Sequence, residues 1–442
     1  MIDLEQQPGF LKNATDALAG AFAGDGAPDP FHDLRQRARR SFEGAGLPTT
    51  QHEAWRYTDL RAALRTDYRP APADAKVSDA TVQAARVPGL GAALAVVVNG
   101  VLDKERSDLS GLPDRVTVGS LRDHVQRGSA GVADAFGRHV DLDRDAFAAL
   151  NSAFSLDGLY LHVPRGVAVE RPVEVVHVVT ASAPTFVQGR NLIVVDEAAQ
   201  ATVIETFVVE GAGGAEPAET FRNDLTEIVA GPAAVVRHVR VQDEGPNAHG
   251  VSLVQSVQER DSDVSTLTFT FATGTVRNNT VMVPAGLGGQ STLGGLYICR
   301  GGQHVDTNTL VDHVAPGCQS NELFKGIVYD EGTGVFNGKV FVQREAQQTN
   351  AYQQSQGVVL SPKARHYSKP ELEIYADDVK CSHGSTTGAI EPEHIFYLRS
   401  RGVSEADARA MLLYAFAHDV VEMVSLAPVR DWLDAQIAER LK

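Results

Sequence analysis

From about residue 92 the apolar positions stop recurring at every third or fourth residue and begin to alternate. Upstream the pattern is helical. DPFHDLRQRARRSFEGAGLP opens with Asp29 and Pro30, stops at Gly44 and Gly46, and has Pro48 beyond, which predicts a helix. EAWRYTDLRAAL, residues 53–64, predicts a second short helical segment anchored by Trp55, Tyr57 and Leu60. Residues 1–30 read as a frayed start with one weak helix, and 66–90 as a Pro/Ala-rich connection. Beyond LAVVVNG, helix formers interrupt over 117–152. Strand then follows strand from LYLHVPRGVAVERPVEVVHVV to KGIVYDEGTGVFNGKVFVQ, and no helix of useful length is expected between about 155 and 360. The clearest stretch alternates Leu267, Phe269 and Phe271 with Thr266, Thr268 and Thr270, one wall buried and one polar.

Such a run fits either an antiparallel sandwich or barrel, or a right-handed parallel β-helix. The block is about twice the length of an immunoglobulin-type sandwich. Few of its turns are the Asn-Gly or Asp-Gly pairs that close hairpins, and small residues recur at the bends, so the solenoid is the better reading. A solenoid leaves a sheet edge at each end, and the terminal helical segments are the natural covers. At the C-terminus, Ser404 with Asp407 forms an acidic capping box ahead of a stripe of Leu413, Phe416, Val420 and Met423. Pro428 then starts a last helix with Val429, Trp432, Leu433 and Ile437 on its apolar side. The expected layout is a helical region over 1–90, a β-helix core over 91–380 with a partly helical insertion near 117–152, and a helical domain over 381–442.

A formal net charge of −16 argues against a general nucleic-acid binder, and the one basic run, LRQRARR, reads as the solvated face of a helix. Apolar runs such as AALAVVV are too short to span a bilayer, and MIDLEQQPGF carries no secretory pattern. The 3 cysteines are too few and too scattered for a disulfide framework. These features predict a cytoplasmic protein.

No phosphate-binding loop occurs, and GLGGQSTLGG lies in strand territory without the lysine or helix start a phosphate needs, so no bound nucleotide is expected. No Gly-x-Ser-x-Gly marks a hydrolase. A carbohydrate-active β-helix using a carboxylate pair remains a rival reading, although the acids are scattered through loops. Cys299 ends a strand and reads as a small buried hydrophobe. His304, His313 and Cys318 match no standard zinc spacing, which leaves them open as ligands or framework. Cys381 and His383, in DDVKCSHGSTTGAIEP, are the sharpest pair, because extended backbone points residues i and i+2 the same way. A thiolate and an imidazole together suit iron, zinc or copper(I), yet two ligands complete no tetrahedral site. Either the pair is incomplete, as a transient assembly station would be, or it merely fills a turn.

Residues 337–416, with KPELEIYADDVKCSHG at their centre, resemble the C-terminal signature of the SufB/SufD family of iron–sulfur cluster assembly scaffolds. HVDTNTLVDHVAPGCQSNELFKGIVYDEGTGVFNGK, LNSAFSLDGLYLHVPRGVAVERPVEVVH and EAWRYTDL are similar to other parts of the family. The likeness spans most of 48–425. It implies a right-handed parallel β-helix flanked by helical domains, acting as a non-catalytic subunit. It further implies a complex with a SufB-type paralogue and with a SufC-type ATPase docked on the C-terminal helices. A homodimer is expected for the isolated chain. The nascent iron–sulfur cluster would form at the subunit interface, with His383 as ligand and Cys381 as candidate second ligand. SufB-type chains are similar to NYTQCDS where this chain has AYQQSQG, so Ser355 stands in place of a cluster cysteine. They carry His-Glu-Ala-Thr where this chain has HGST. Both departures point to the SufD branch. A purely structural subunit is the remaining alternative.

Overall fold

The computed structural model describes residues 29–72, 75–211 and 216–441, together with Gly9; the weak helix expected near the start falls outside them. The alternating pattern builds two ten-stranded sheets. From Leu159–Val163 and Val173–Thr180 to Arg365–Ile374 and Val379–Gly388, each strand pairs in parallel with the strand two places along the chain. Successive strands therefore enter opposite sheets, and the chain winds into a β-solenoid of about 8 turns. Thr275, His304 and Thr333 stand in register on successive coils, so one coil takes roughly 30 residues. Part of the interior is an apolar stack that includes Ile193, Ile228, Val254, Met282, Val311 and Phe336. Burial of side chains this size stabilises by about 1.5–3 kcal/mol each.

The rest of the interior is polar. Leu267, Phe269 and Phe271 face outward under the C-terminal helices, whereas Thr270 points inward and donates to Gln242 Oε1 at 2.7 Å. The polar wall of that strand thus lines the solenoid, and both walls are covered.

The two ends differ. The first coil is closed by antiparallel strands, Val101–Asp108 on Ala93–Val98 and Thr117–Ser120 on Leu159–Val163. The last strands, Arg365–Ile374 and Val379–Gly388, have no further strand beside them among the described residues. The expectation that terminal helices cover both ends is corrected here: Glu405–Val421 and Ala427–Arg440 lie along the outer face of one sheet. Leu413, Val420, Leu433 and Ile437 pack there on Phe269, Leu296, Ile298 and Ile327. The helices cover an apolar surface on the outer face of that sheet, which includes Phe269 and Phe271, rather than the coil end. Gly294 permits the approach, since a Cβ there would stand 3.0 Å from Met423 Sδ. Ser404 caps the first of these helices, accepting from the Asp407 N–H at 3.1 Å. Pro370, in the middle of Arg365–Ile374, fits an edge strand, the place where a missing N–H is tolerated.

At the N-terminal side, His32–Ala45 packs against Ala146–Phe154. Its basic run is not a uniformly solvated face: Arg35 is buried, pairs with Asp29 at 2.7 Å and donates to the Ala153 carbonyl at 3.0 Å. EAWRYTDLRAAL forms only the short 3₁₀ turns Glu53–Trp55 and Ala63–Arg65. Its side chains are committed to the solenoid instead. Trp55 lies 4.1 Å from the Arg277 guanidinium and 5.4 Å from the Phe147 ring, and Tyr57 stacks on Tyr367 at 4.7 Å. Tertiary contacts override local helix propensity here.

Candidate functional site

Cys381 and His383 lie on the last strand, Val379–Gly388. Their direction follows from register. Cys381 pairs with Ala351, His383 with Gln353 and Ser385 with Ser355, and those three partners are buried and inward-facing. Thr387, at the same parity, meets His366 Nδ1 across the coil at 2.7 Å. Cys381 and His383 therefore occupy interior-facing positions of a coil that no further coil covers among the described residues. Cys381 is half-buried against the small apolar cluster of Val340, Val342, Ala346, Ala351 and Ala376, and His383 is exposed. The expected shared direction of residues i and i+2 holds.

The surroundings are polar and soft. Burial pushes the Cys381 thiol above its ordinary pKa, opposed only by a backbone hydrogen bond from Ala351. Thiolate formation there requires an incoming cation. Ser355, 1% exposed, accepts from Ser368 Oγ at 2.9 Å. His366 is pushed down to about 4 by burial and so stays neutral at physiological pH. Gly357 leaves room for this ring, because a Cβ there would stand 2.3 Å from its Nδ1. No group of three or more His, Cys, Asp or Glu with metal-binding geometry occurs among the described residues. Two ligand atoms on one strand can take up an iron or a cluster edge, but completing the coordination requires ligands from elsewhere.

The other sequence candidates are not gathered. His304 and His313 end the same ten-residue strand, roughly 30 Å apart at about 3.3 Å per residue. His304 Nε2 donates at 2.9 Å to Thr58 Oγ1, which in turn donates to Asp306 Oδ2 at 2.6 Å. His313 contacts Ser320 Oγ at 2.9 Å, and burial lowers it to about 4. Both are framework. Cys318 is buried with Sγ 3.3 Å from the Gly286 carbonyl, and Cys299 is buried with its thiol pushed up to about 12. Neither approaches Cys381.

Reasoning from sequence missed two residues beneath His383. Glu322 and Gln353 are in register with one another, and Gln353 is in register with His383, so the three form a column through the last three coils. Glu322, 1% exposed, accepts from Thr309 Oγ1 at 2.6 Å and from Gln353 Nε2 at 3.0 Å. Burial nevertheless raises its carboxyl to about 7. The signal that could have found them is the coil repeat of roughly 30 residues, counted back from His383.

A second polar cluster lies deeper in the same sheet. Glu205 accepts from His177 Nε2 at 2.7 Å, from His238 Nε2 at 2.6 Å and from Asn191 Nδ2 at 2.8 Å. Burial alone would raise this carboxyl, but the two imidazoles outweigh it and hold it well below the usual carboxylate range. Nearby, Asp224 and Glu244 are paired with Arg222 and Arg240. These interior acids are tied into ion pairs rather than set as an open carboxylate pair.

Comparison with known proteins matches residues 177–416 to the SUF system FeS cluster assembly SufBD core domain and residues 16–175 to the SufBD N-terminal region. A SufBD family protein of Synechocystis is 30% identical, covering 90% of this chain and 88% of its own length. The iron–sulfur cluster assembly protein SufD of Escherichia coli is 29% identical over 98% of both chains. The SufD of Bacillus subtilis is 28% identical over 69% of this chain and 68% of its own.

Proposed function

Since the chain belongs to the SufBD family of iron–sulfur cluster assembly proteins, we propose that it is a non-catalytic scaffold subunit whose open coil end pairs with a SufB-type paralogue. The observation carrying this reading is the interior face of the last coil. It presents a half-buried thiol and an exposed imidazole where, among the described residues, both sheets end without a neighbour. His383, with Cys381, supplies part of the ligand set for a nascent cluster, and the paralogue supplies the rest. The cluster is cargo, built at the interface and released, which suits a ligand set split between two chains. Ser355, in place of a thiol, leaves this chain unable to hold the cluster alone.

The C-terminal helices dock a SufC-type ATPase. Phe396 and Tyr397, on the short helix Pro392–Ser400 that precedes them, and Met411, on Glu405–Val421, are exposed, and large apolar side chains of this kind commonly anchor interfaces. ATP hydrolysis belongs to that partner. The isolated chain pairs its open end with a second copy. No described helix is long and apolar enough to cross a membrane, and the complex works in the cytoplasm.

The test is co-expression with a SufB-type and a SufC-type protein, followed by anaerobic reconstitution with ferrous iron and sulfide. Cluster absorbance should fall at least tenfold in the His383→Ala complex, with all subunits still co-eluting. Loading equal to the parent would refute the role of His383. In the same preparation, Phe396→Ala with Tyr397→Ala should reduce recovery of the ATPase without loss of the paralogue.

A further inference from the structure

The column Glu322–Gln353–His383 contains one buried polar atom without a partner. Gln353 is 2% exposed, its Nε2 is taken by Glu322, and its Oε1 meets no donor. A buried amide oxygen left unpaired costs about 1–3 kcal/mol, so its persistence calls for an explanation. Its orientation is fixed from below. The two carboxyl oxygens of Glu322 receive Thr309 Oγ1 and Gln353 Nε2, which turns the amide oxygen away from Glu322. Its room is fixed from across the coil: a Cβ on Gly338 would stand 2.6 Å from Gln353 Nε2 and 2.4 Å from Phe336 Cζ. The next residue in the column is His383, an adjacent in-register partner on the same face, at a strand spacing of about 4.8 Å.

We propose that Gln353 is a positioning residue for His383, its carboxamide oxygen accepting one imidazole N–H so that the other ring nitrogen presents its lone pair out of the open end. Glu322 is the lock that keeps the amide oxygen pointed that way. Histidines that bind metals usually donate their second nitrogen to a carbonyl or carboxylate, which fixes the tautomer and raises the basicity of the binding nitrogen. An exposed ring with no such partner would have to be ordered at the moment of binding. The inference rests on the reading of His383 as a ligand, but the contact itself can be tested without iron.

The full chain, labelled with ¹⁵N-histidine, is examined at pH 8.5 by long-range ¹H–¹⁵N correlation, with the His383 signals assigned by their loss in His383→Asn. A single tautomer is expected for His383 in the parent and a mixture close to that of free imidazole in Gln353→Met, which keeps length and removes the acceptor. The double variant Glu322→Gln with Gln353→Glu exchanges the carboxylate and the amide along the column. It should restore the single tautomer, showing that Gln353→Met acts by losing an acceptor and not by disturbing the coil. A His383 tautomer mixture that is the same in parent and Gln353→Met would overturn the proposal. In the reconstituted complex, Gln353→Met should lower cluster loading about tenfold, and the double variant should recover it. If His383→Ala loads normally while the tautomer shift is present, the ligand reading fails and the contact stands. If His383→Ala abolishes loading and Gln353→Met changes neither tautomer nor loading, the positioning role is refuted and the ligand reading survives.

Discussion

Two groups of polar side chains containing imidazole lie on the inner face of the same sheet, and they have opposite fates. His177 and His238 close on Glu205 with coils on both sides, and every oxygen of that carboxylate is engaged. His383 and Cys381 point in the same direction from the last coil, where no further strand of the described residues seals them. Backbone geometry and side-chain type are alike, so position in the stack makes the difference. Within the stack, imidazole serves cohesion; at its end, the same group is free for a partner or a metal.

That contrast can be broken most sharply at Glu205. Glu205→Gln leaves two imidazoles facing an uncharged group, and breaking a buried charge pair costs about 3–5 kcal/mol. We expect that loss in chemical denaturation, with cluster loading of the surviving folded complex unchanged. His383→Ala should do the reverse, altering stability by about 0.5 kcal/mol or less, as for an exposed site, while abolishing loading. Equal stability effects at the two sites would erase the distinction.

Glu322 lies between the extremes, buried like Glu205 but lacking a cationic partner. Its folded pKa, about 7, lies above the unfolded value near 4.5. The native state therefore binds the extra proton, and this stabilising contribution is complete below about pH 4.5 and lost as pH rises through 7. Glu322→Gln removes that dependence. Its stability relative to the parent should increase by roughly 2–3 kcal/mol between pH 5 and pH 8. Paired denaturation curves at the two pH values check this, and a pH-independent difference would contradict it.

The smallest effect concerns the strap that reaches the open end. Tyr57 stacks on Tyr367, and Lys369 pairs with Glu53 at 2.7 Å. Tyr57→Ala should cost about 0.5–1.5 kcal/mol, seen as faster amide exchange in Arg365–Ile374 with the first coils unaffected.

Much of this was legible in the chain. Alternation of period two named the strands, and the lack of hairpin turns gave the solenoid. The i, i+2 rule aligned Cys381 with His383, because all of these are local properties. What remained hidden depends on contacts between coils. Glu322 and Gln353 look like ordinary strand residues until register stacks them under His383. Arg35 looks solvated until Asp29 and Ala153 enclose it. The uncovered end was concealed because an apolar helix stripe does not reveal which apolar surface it will choose.

Pro370 carries a last consequence. A stack whose final rung offers bare backbone could go on recruiting copies of itself into a fibre. A proline in the middle of that rung, which has no amide hydrogen to offer, together with the Lys380, Ser382 and Thr386 side chains on the neighbouring one, makes indiscriminate growth unfavourable. The molecule can thus keep one terminus sticky enough for a chosen mate and still remain finite.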